Sequence, residues 1–443
     1  MKKIVSLFLA MTMALSLAAC GSKTGEQAAA GSGTQKEDTL VKEISSPVEI
    51  QFWHSISNPV HAEILENLIK EFNDTVGQEK GITVVPTFNG SSSELYSNVI
   101  AAIKAGNAPD VTLALRPYVA DYLQTDYVVD LAPYISDPDV GISDYNDIFE
   151  GLRNANSNYE KEGTYSLPIH SYSEVLYYNV DFFEKNNLTV PTTWDEMVDT
   201  CSKIREITGA PAFGWDNLAG SFMTLVKQFG GRYTDQNGNE DADVALKVLN
   251  LWKDNVDRGI WRTAVEDMFF SGPFANEQIP MYIGDSVEAS YIPSKNPNLN
   301  WATAPIPQVS SDTAANLCAG HVIVALNTTG DAEKAYASYE FMKFMTSYEA
   351  NLAVVTGGTG YLPIRQSVVD SQEYQNYVAD GHDFLTAGVS QSSCYFYEPA
   401  FTNGVTTSSA VNSAVKTMMQ EVADNGVEPE TALNNLKQTV GLN

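Results

Sequence analysis

Cysteine is scarce: Cys20, Cys201, Cys318 and Cys394 are the only four in 443 residues. None falls in a CxxC or Cys/His spacing, which excludes a disulfide scaffold and a structural zinc site. Positive charge is short as well. Lys and Arg number 26 against 55 Asp and Glu, a formal net of -29. Such a surface repels phosphate backbones and anionic headgroups, so nucleic-acid binding and broad electrostatic docking on membranes are excluded. No run inside the body of the chain reaches the ~18 apolar residues of a spanning helix. GxSxG, Walker A and GxGxxG motifs are absent. His54 and His61 lack an acidic HExxH context, which argues against zinc hydrolysis. Asp235-Gln236-Asn237-Gly238-Asn239 has its glycine two places early for a calcium loop and no closing glutamate, so Asn237-Gly238 reads as a hairpin turn. Neither a metal nor a cofactor is expected. Apolar residues are plentiful, at 44% with 10% aromatic, enough for sizeable cores. The length suggests two or three domains.

The first residues read as an address. Lys2 and Lys3 precede a short apolar stretch, Ile4 to Leu17, of secretory length. Leu17-Ala18-Ala19-Cys20-Gly21 resembles a bacterial lipobox, which implies that residues 1–19 are a signal peptide and that Cys20 receives the lipid. Residues 20–46 are small and polar without apolar periodicity, a flexible tether. Cleavage removes two lysines and no acid, so the mature protein is more acidic still. The expected location is extracytoplasmic, anchored to the cell membrane by an N-terminal lipid.

The globular part opens with alternation. Val48, Ile50 and Phe52 interleave with Glu49 and Gln51, a strand. Asn58-Pro59 then starts a helix with Ile64, Leu65, Leu68, Ile69 and Phe72 on one face. Ile82–Pro86 is a second strand, Leu95, Val99 and Ile103 stripe a second helix ended by Gly106, and Asp110–Leu115 is a third strand. This βαβαβ run predicts a doubly wound sheet. A second α/β pattern begins near Tyr165, with a strand at Ser173–Asn179 and a capping box at Thr193–Glu196 before a helix carrying Met197, Cys201 and Ile204. Strands follow in Gln278–Ser286 and His321–Leu326, then a helix from Asp331 with Ala335, Tyr339, Met342 and Met345 on one face. Two C-terminal helices close the chain, one with Val411, Val415, Met418 and Val422, the other entered at Pro429.

Four stretches in this order resemble the extracellular solute-binding proteins of ABC transporters, in their carbohydrate-binding branch. They are Leu176-Tyr177-Tyr178-Asn179 through Phe183, Pro191 and Thr193-Trp194-Asp195-Glu196; Asn107-Ala108-Pro109-Asp110-Val111; Ala304-Pro305-Ile306-Pro307 with Gly320 and Tyr339–Phe344; and Thr359-Gly360-Tyr361-Leu362-Pro363-Ile364-Arg365. The resemblance implies an α/β, two-lobed periplasmic-binding-protein-like fold of type II, each lobe a doubly wound sheet flanked by helices, with the ligand cleft between lobes. By analogy lobe one comprises 47–160 plus 319–368, and lobe two 165–315 plus 369–443. The implied partners are a carbohydrate ligand and the permease subunits of an ABC importer. The expected protein is a monomer without enzymatic activity.

Phe52-Trp53-His54-Ser55 and the TGYLP segment also resemble the sn-glycerol-3-phosphate-binding subgroup. That subgroup carries a late arginine for the phosphate, and Thr402–Ser409 holds none. A dianionic ligand would therefore lack a bidentate partner, which favours a neutral sugar. Glycerol 3-phosphate or a glycerophosphodiester is the alternative, and a surface glycoside hydrolase the alternative of another class.

Sugar recognition needs aromatic faces for ring C–H surfaces and planar polar groups for hydroxyls. In doubly wound lobes these sit at the carboxyl ends of strands. The candidates are Trp53, His54 and Ser55 ending the first strand, Glu94 heading the helix after the second, and Arg116 after the third. Tyr172 and Glu174 precede the YYN strand, Trp215 follows Phe213-Gly214, and Asp285 follows the glycine of MYIGDS. Gly320 opens a strand with His321, Tyr361 lies in the TGYLP loop, and Tyr395 and Tyr397 form an aromatic-acidic cluster with Glu398. Several have structural readings too: Glu94 as a helix cap, Trp53 as an outer strand face. Trp194 is expected to be structural, and Cys318 and Cys394 are left open as bonded or free.

Overall fold

The computed structural model describes residues 40–157, 159–233, 241–264, 269–402 and 406–441. The leader, Cys20, most of the tether and the Asn237-Gly238 turn lie outside the described residues.

The alternating start of the globular part becomes β1 (Val48–His54), with Ile50 and Phe52 wholly buried. β2 (Ile82–Phe88), β3 (Val111–Ala114) and β4 (Leu167–Pro168) follow. The helices between them start and stop where their caps dictate. The Asn58 side chain accepts from the backbone of Val60 and His61 at the head of Pro59–Asp74. Ser91 and Glu94 form a capping box for Ser92–Ala105, which ends on Gly106 at φ 72°. The chain then supplies β5 (Tyr172–Asn179), β6 (Phe213–Gly214), β7 (Trp261–Arg262), β8 (Met281–Asp285), β9 (Trp301–Ala304), β10 (Asn316–Ala319), β11 (Val322–Ala325) and β12 (Tyr395–Phe396).

Two five-stranded sheets result. The first has the order β2-β1-β3-β11-β4, with β1 parallel to β2 and β3, and β11 antiparallel to β3 and β4. Its core joins Ile50, Phe52, Val111, Leu113, Ile323 and Val324 to the helices Pro59–Asp74 and Ala332–Met345. Phe72, Phe52 and Phe341 meet there edge to face, with centroids 5.2 Å apart.

The second sheet runs β12-β10-β5-β8, with β9 also beside β5. Here β5 is antiparallel to β8, β9 and β10, whereas the sequence pattern suggested a second doubly wound sheet. The register gives the reason: Tyr172 faces Ala319 and Glu174 faces Asp285. β5 starts at the edge where β8 and β10 end, because it enters this sheet directly from the first. Its core gathers Trp194, Trp215, Trp252 and Trp261 with the helix Ser408–Ala423. The capping box at Thr193 and Glu196 is present and Trp194 is buried, as its structural reading required.

The chain passes between the sheets in short steps, at 169–171 and 320–321. Alongside them Leu362 exchanges two backbone hydrogen bonds with Ser171, at 2.7 and 3.2 Å. Arg365 anchors this third segment from within the fold. Only 1% exposed, it donates to Asp144 at 2.7 Å, Asp147 at 3.0 Å and the Thr346 carbonyl at 2.7 Å. Removing one partner of a buried ion pair typically costs 3–5 kcal/mol. Asp144 is half exposed and rehydrates, so Arg365→Ala is expected to lower the unfolding free energy by about 3 kcal/mol, read by urea denaturation; a loss below ~1 kcal/mol contradicts this role.

Candidate ligand-binding site

Where the short steps meet lies a cavity of about 200 Å³. β3 ends beside it and places Arg116 at the start of the next helix. β5 begins beside it with Tyr172, β8 ends beside it with Asp285, and β10 ends there with Cys318 and Ala319. The segment after β12 adds Tyr397 and Glu398, and Asn156, Asn217 and Asn412 complete the polar wall.

Arg116 crosses the site. Its Nε donates to the carbonyl of Ala155 at 2.7 Å and its Nη1 to the carbonyl of Glu398 at 2.8 Å, while its guanidinium lies 5.8 Å from the Tyr159 ring and 5.9 Å from that of Tyr397. These partners are carbonyls and rings, and among the described residues no ion pair cancels its positive charge. Opposite stand carboxyls. Burial, then Asp216, pushes Asp285 up to about 7. Burial pushes Glu398 up to about 7 against the pull of Asn412 and Arg116. Behind Asp285, Glu174 accepts from Trp215 Nε1 at 3.0 Å and from Thr224 at 3.4 Å, and burial with the Asp285 charge holds it well above the usual carboxylate range. Asp216 accepts the Phe270 amide at 2.6 Å and is raised to about 6 by burial. Glu288 is raised by burial, then by Asp216.

The floor is aromatic and imidazole. Tyr361 stacks on His170 at 3.5 Å and 14°. His170 Nε2 lies 3.3 Å from His321 Nδ1, His321 Nε2 lies 3.3 Å from Ser92 Oγ, and Ser92 meets Ser55 at 3.2 Å. Burial holds His170 well below the usual imidazole range and brings His321 down to about 4, so both rings are neutral at pH 7.

Of the residues singled out in the sequence, Arg116, Tyr172, Asp285, Gly320, His321, Tyr397 and Glu398 line this cavity, and Glu174 stands behind Asp285. Ser55 connects to it through Ser92 and His321, and Tyr361 stands behind His170. The others lie elsewhere. Glu94 is the helix cap, its carboxylate accepting from Ser91 N and Oγ at 2.8 Å. Trp53 packs half-buried on the first core, and His54 lies between the rings of Phe52 and Phe88. Trp215 is buried in the second core, stacked on Trp194 at 5.4 Å. Tyr395 bonds Ser173 at 3.0 Å and the Gly388 carbonyl rather than facing the cavity. Asn156, Asn217, Asn412, Cys318 and His170 were not singled out. Only Asn217, just past the strand Phe213–Gly214, carried a positional signal; Asn156 and Asn412 sit inside helices. Cys201, Cys318 and Cys394 are free thiols. Among the described residues, no three or more His, Cys, Asp or Glu side chains are grouped to hold a metal, and no helix is long and apolar enough to cross a membrane.

The pattern that defines the bacterial extracellular solute-binding proteins matches residues 67–380. The chain belongs to that family. The sn-glycerol-3-phosphate-binding periplasmic protein UgpB of Rhizobium meliloti is 24% identical over 360 residues, covering 74% of this chain and 78% of that protein. The arabinooligosaccharide-binding protein of Bacillus subtilis is 24% identical over 412 residues, covering 86% of each. Among solved structures, UgpB from Mycobacterium tuberculosis in complex with glycerophosphocholine superposes with a TM-score of 0.76 at 18% identity, over 90% of this chain and 98% of that one. The cyclic alpha-maltosyl-1,6-maltose binding protein from Arthrobacter globiformis gives 0.74 at 20% identity, over 89% and 98%. These likenesses show the two-lobed α/β fold expected from the sequence.

In this solute-binding protein, the raised carboxyl of Asp285 makes stability depend on pH. A carboxyl with a raised folded value favours folding while protonated, and that contribution fades as pH climbs through the folded value. Wild type is therefore expected to lose stability relative to Asp285→Asn between about pH 4 and about pH 7, measured by thermal unfolding without ligand. A difference that stays flat across that window contradicts the assignment.

Proposed function

We propose that this solute-binding protein, tethered outside the cytoplasm by lipid on Cys20, captures a mono- or oligosaccharide and presents it to the permease of an ABC importer. The observation that carries this reading is the cavity at the crossings, which joins carboxyls, asparagines and one guanidinium to the rings of Tyr172 and Tyr397. Such groups pair with hydroxyls and cover ring C–H faces. The named sugar binders among its relatives and structural neighbours support it. No covalent step is needed. A ligand that touches both lobes only when they are together shifts the open–closed equilibrium toward closure. The lobes turn about 169–171 and 320–321, and the described protein works as a monomer.

One observation favours a second reading, a glycerol phosphate or its diester. Beside the cavity runs a groove of about 500 Å³ lined by Arg116, Lys227 and Arg232 together with Tyr395, Phe396 and Tyr397. It offers the cations that Thr402–Ser409 lacks, and relatives named for sn-glycerol 3-phosphate share the family.

A thermal-shift panel of mono- and oligosaccharides with glycerol 3-phosphate separates the two. At a hundred times Kd, a ligand of the folded state adds about 2.7 kcal/mol. A sugar that stabilises fits the first reading, and an oligosaccharide recovered unchanged after incubation also excludes a hydrolase. Stabilisation by glycerol 3-phosphate alone, lost in Lys227→Ala/Arg232→Ala, would replace it with the second.

A further inference from the structure

Acidic groups outnumber cationic ones around the cavity. On its wall stand Asp285 and Glu398, and close behind Asp285 are Glu174, Asp216 and Glu288. The cation on the wall is Arg116, and the imidazoles of His170 and His321 are neutral. Arg116 is tied to the backbone of Glu398 and its charge acts on that carboxyl. Asp285 differs. Glu398 has Asn412 at 2.8 Å, Glu174 has Trp215 and Thr224, and Asp216 has the Phe270 amide, whereas the Asp285 carboxylate has no hydrogen-bond partner among the described residues. Its exposed surface opens on the cavity, beside Tyr172. A neutral hydroxyl can pair with such a carboxyl while it keeps its proton, and supplies nothing that favours the ionised form which burial and Asp216 oppose. A cation pairs with the ionised carboxylate and offsets that penalty. The tyrosine faces nearby suit an ammonium through their negative π-surface.

We propose that the cavity takes a ligand bearing a positively charged nitrogen, in carbohydrate terms a sugar with a free, protonated amine, its ammonium seated against Asp285 between the rings of Tyr172 and Tyr397. This deepens the carbohydrate reading and rests on it for the ligand's scaffold. It also gives closure a driving force. The ammonium neutralises an acidic wall contributed by the second lobe while the rest of the sugar meets Asn156 and Arg116 of the first.

The test is titration calorimetry at pH 7 in an amine-free buffer, with four probes: glucosamine, N-acetylglucosamine, glucose and choline. The expected result is glucosamine bound at least about tenfold more tightly than glucose or N-acetylglucosamine, with that preference abolished in Asp285→Asn. Choline binding with the same dependence on Asp285 keeps the ammonium site and overturns the sugar scaffold. Equal or tighter binding of glucose or N-acetylglucosamine overturns the proposal and leaves the carbohydrate reading standing. Silence from both amines overturns it as well, and a neutral sugar found in the wider thermal panel then shows that only the charge assignment failed. Unliganded melting shows whether Asp285→Asn is folded. If it is not, the wild-type ranking of the four probes still decides, and Glu398→Gln serves as a second variant that should weaken all sugars without erasing the preference for the amine.

Discussion

Gly320 passes His170 so closely that a methyl group on it would stand 2.2 Å from the His170 carbonyl oxygen. That contact is backbone against backbone, and neither side can yield by turning a side chain. It holds two of the steps between the lobes side by side, and the Ser171–Leu362 hydrogen bonds add a third strand of chain to the pair. The rest of the site follows from this constraint. Because the steps are only two or three residues long, the strand ends on either side of them, with Tyr172, Asp285, Ala319 and Arg116, must face a common space. Because His170 and His321 lie on the steps themselves, the floor of that space is made of the crossings.

The second organising feature is the placement of charge. The chain is strongly acidic throughout, yet its buried acids concentrate behind β8, where Glu174, Asp216, Asp285 and Glu288 share one wall of the second lobe. Burial raises all four, and the charges of neighbouring acids raise Glu174, Asp285 and Glu288 further. Such a wall is unfavourable when the lobes close on nothing, and it becomes favourable when a ligand supplies donors or charge. Affinity and closure are thus two aspects of the same electrostatics.

Much of the fold was legible because local signals agreed with one another. The alternation in Val48–Trp53, the Asn58-Pro59 start, the Gly106 stop and the Thr193–Glu196 box each rest on backbone chemistry that acts over four or five residues. The direction of β5 was not legible, since it depends on where the chain enters the sheet, a long-range fact with no local signature. The site divided in the same way. Arg116, Asp285 and Gly320 sit at strand ends, where position announces function in α/β layers. Trp215 has the same kind of position, but its indole turns inward to stack on Trp194 and to hold Glu174, and rotamer choice cannot be read from spacing. Asn156 and Asn412 reach the cavity from helices, and nothing in a single sequence separates them from other helical asparagines. The net charge excluded nucleic acid, while the grouping of five carboxyls around one cavity emerged only with the fold.

Closure of the two lobes on a ligand held at the crossings would change the size of the molecule in solution. Small-angle X-ray scattering of the protein with and without a saturating amount of a ligand found in the thermal panel tests it most directly. The radius of gyration is expected to fall on saturation, and the ligand-free curve to fit a wider separation of the two sheets. Superimposable curves at full saturation would contradict it.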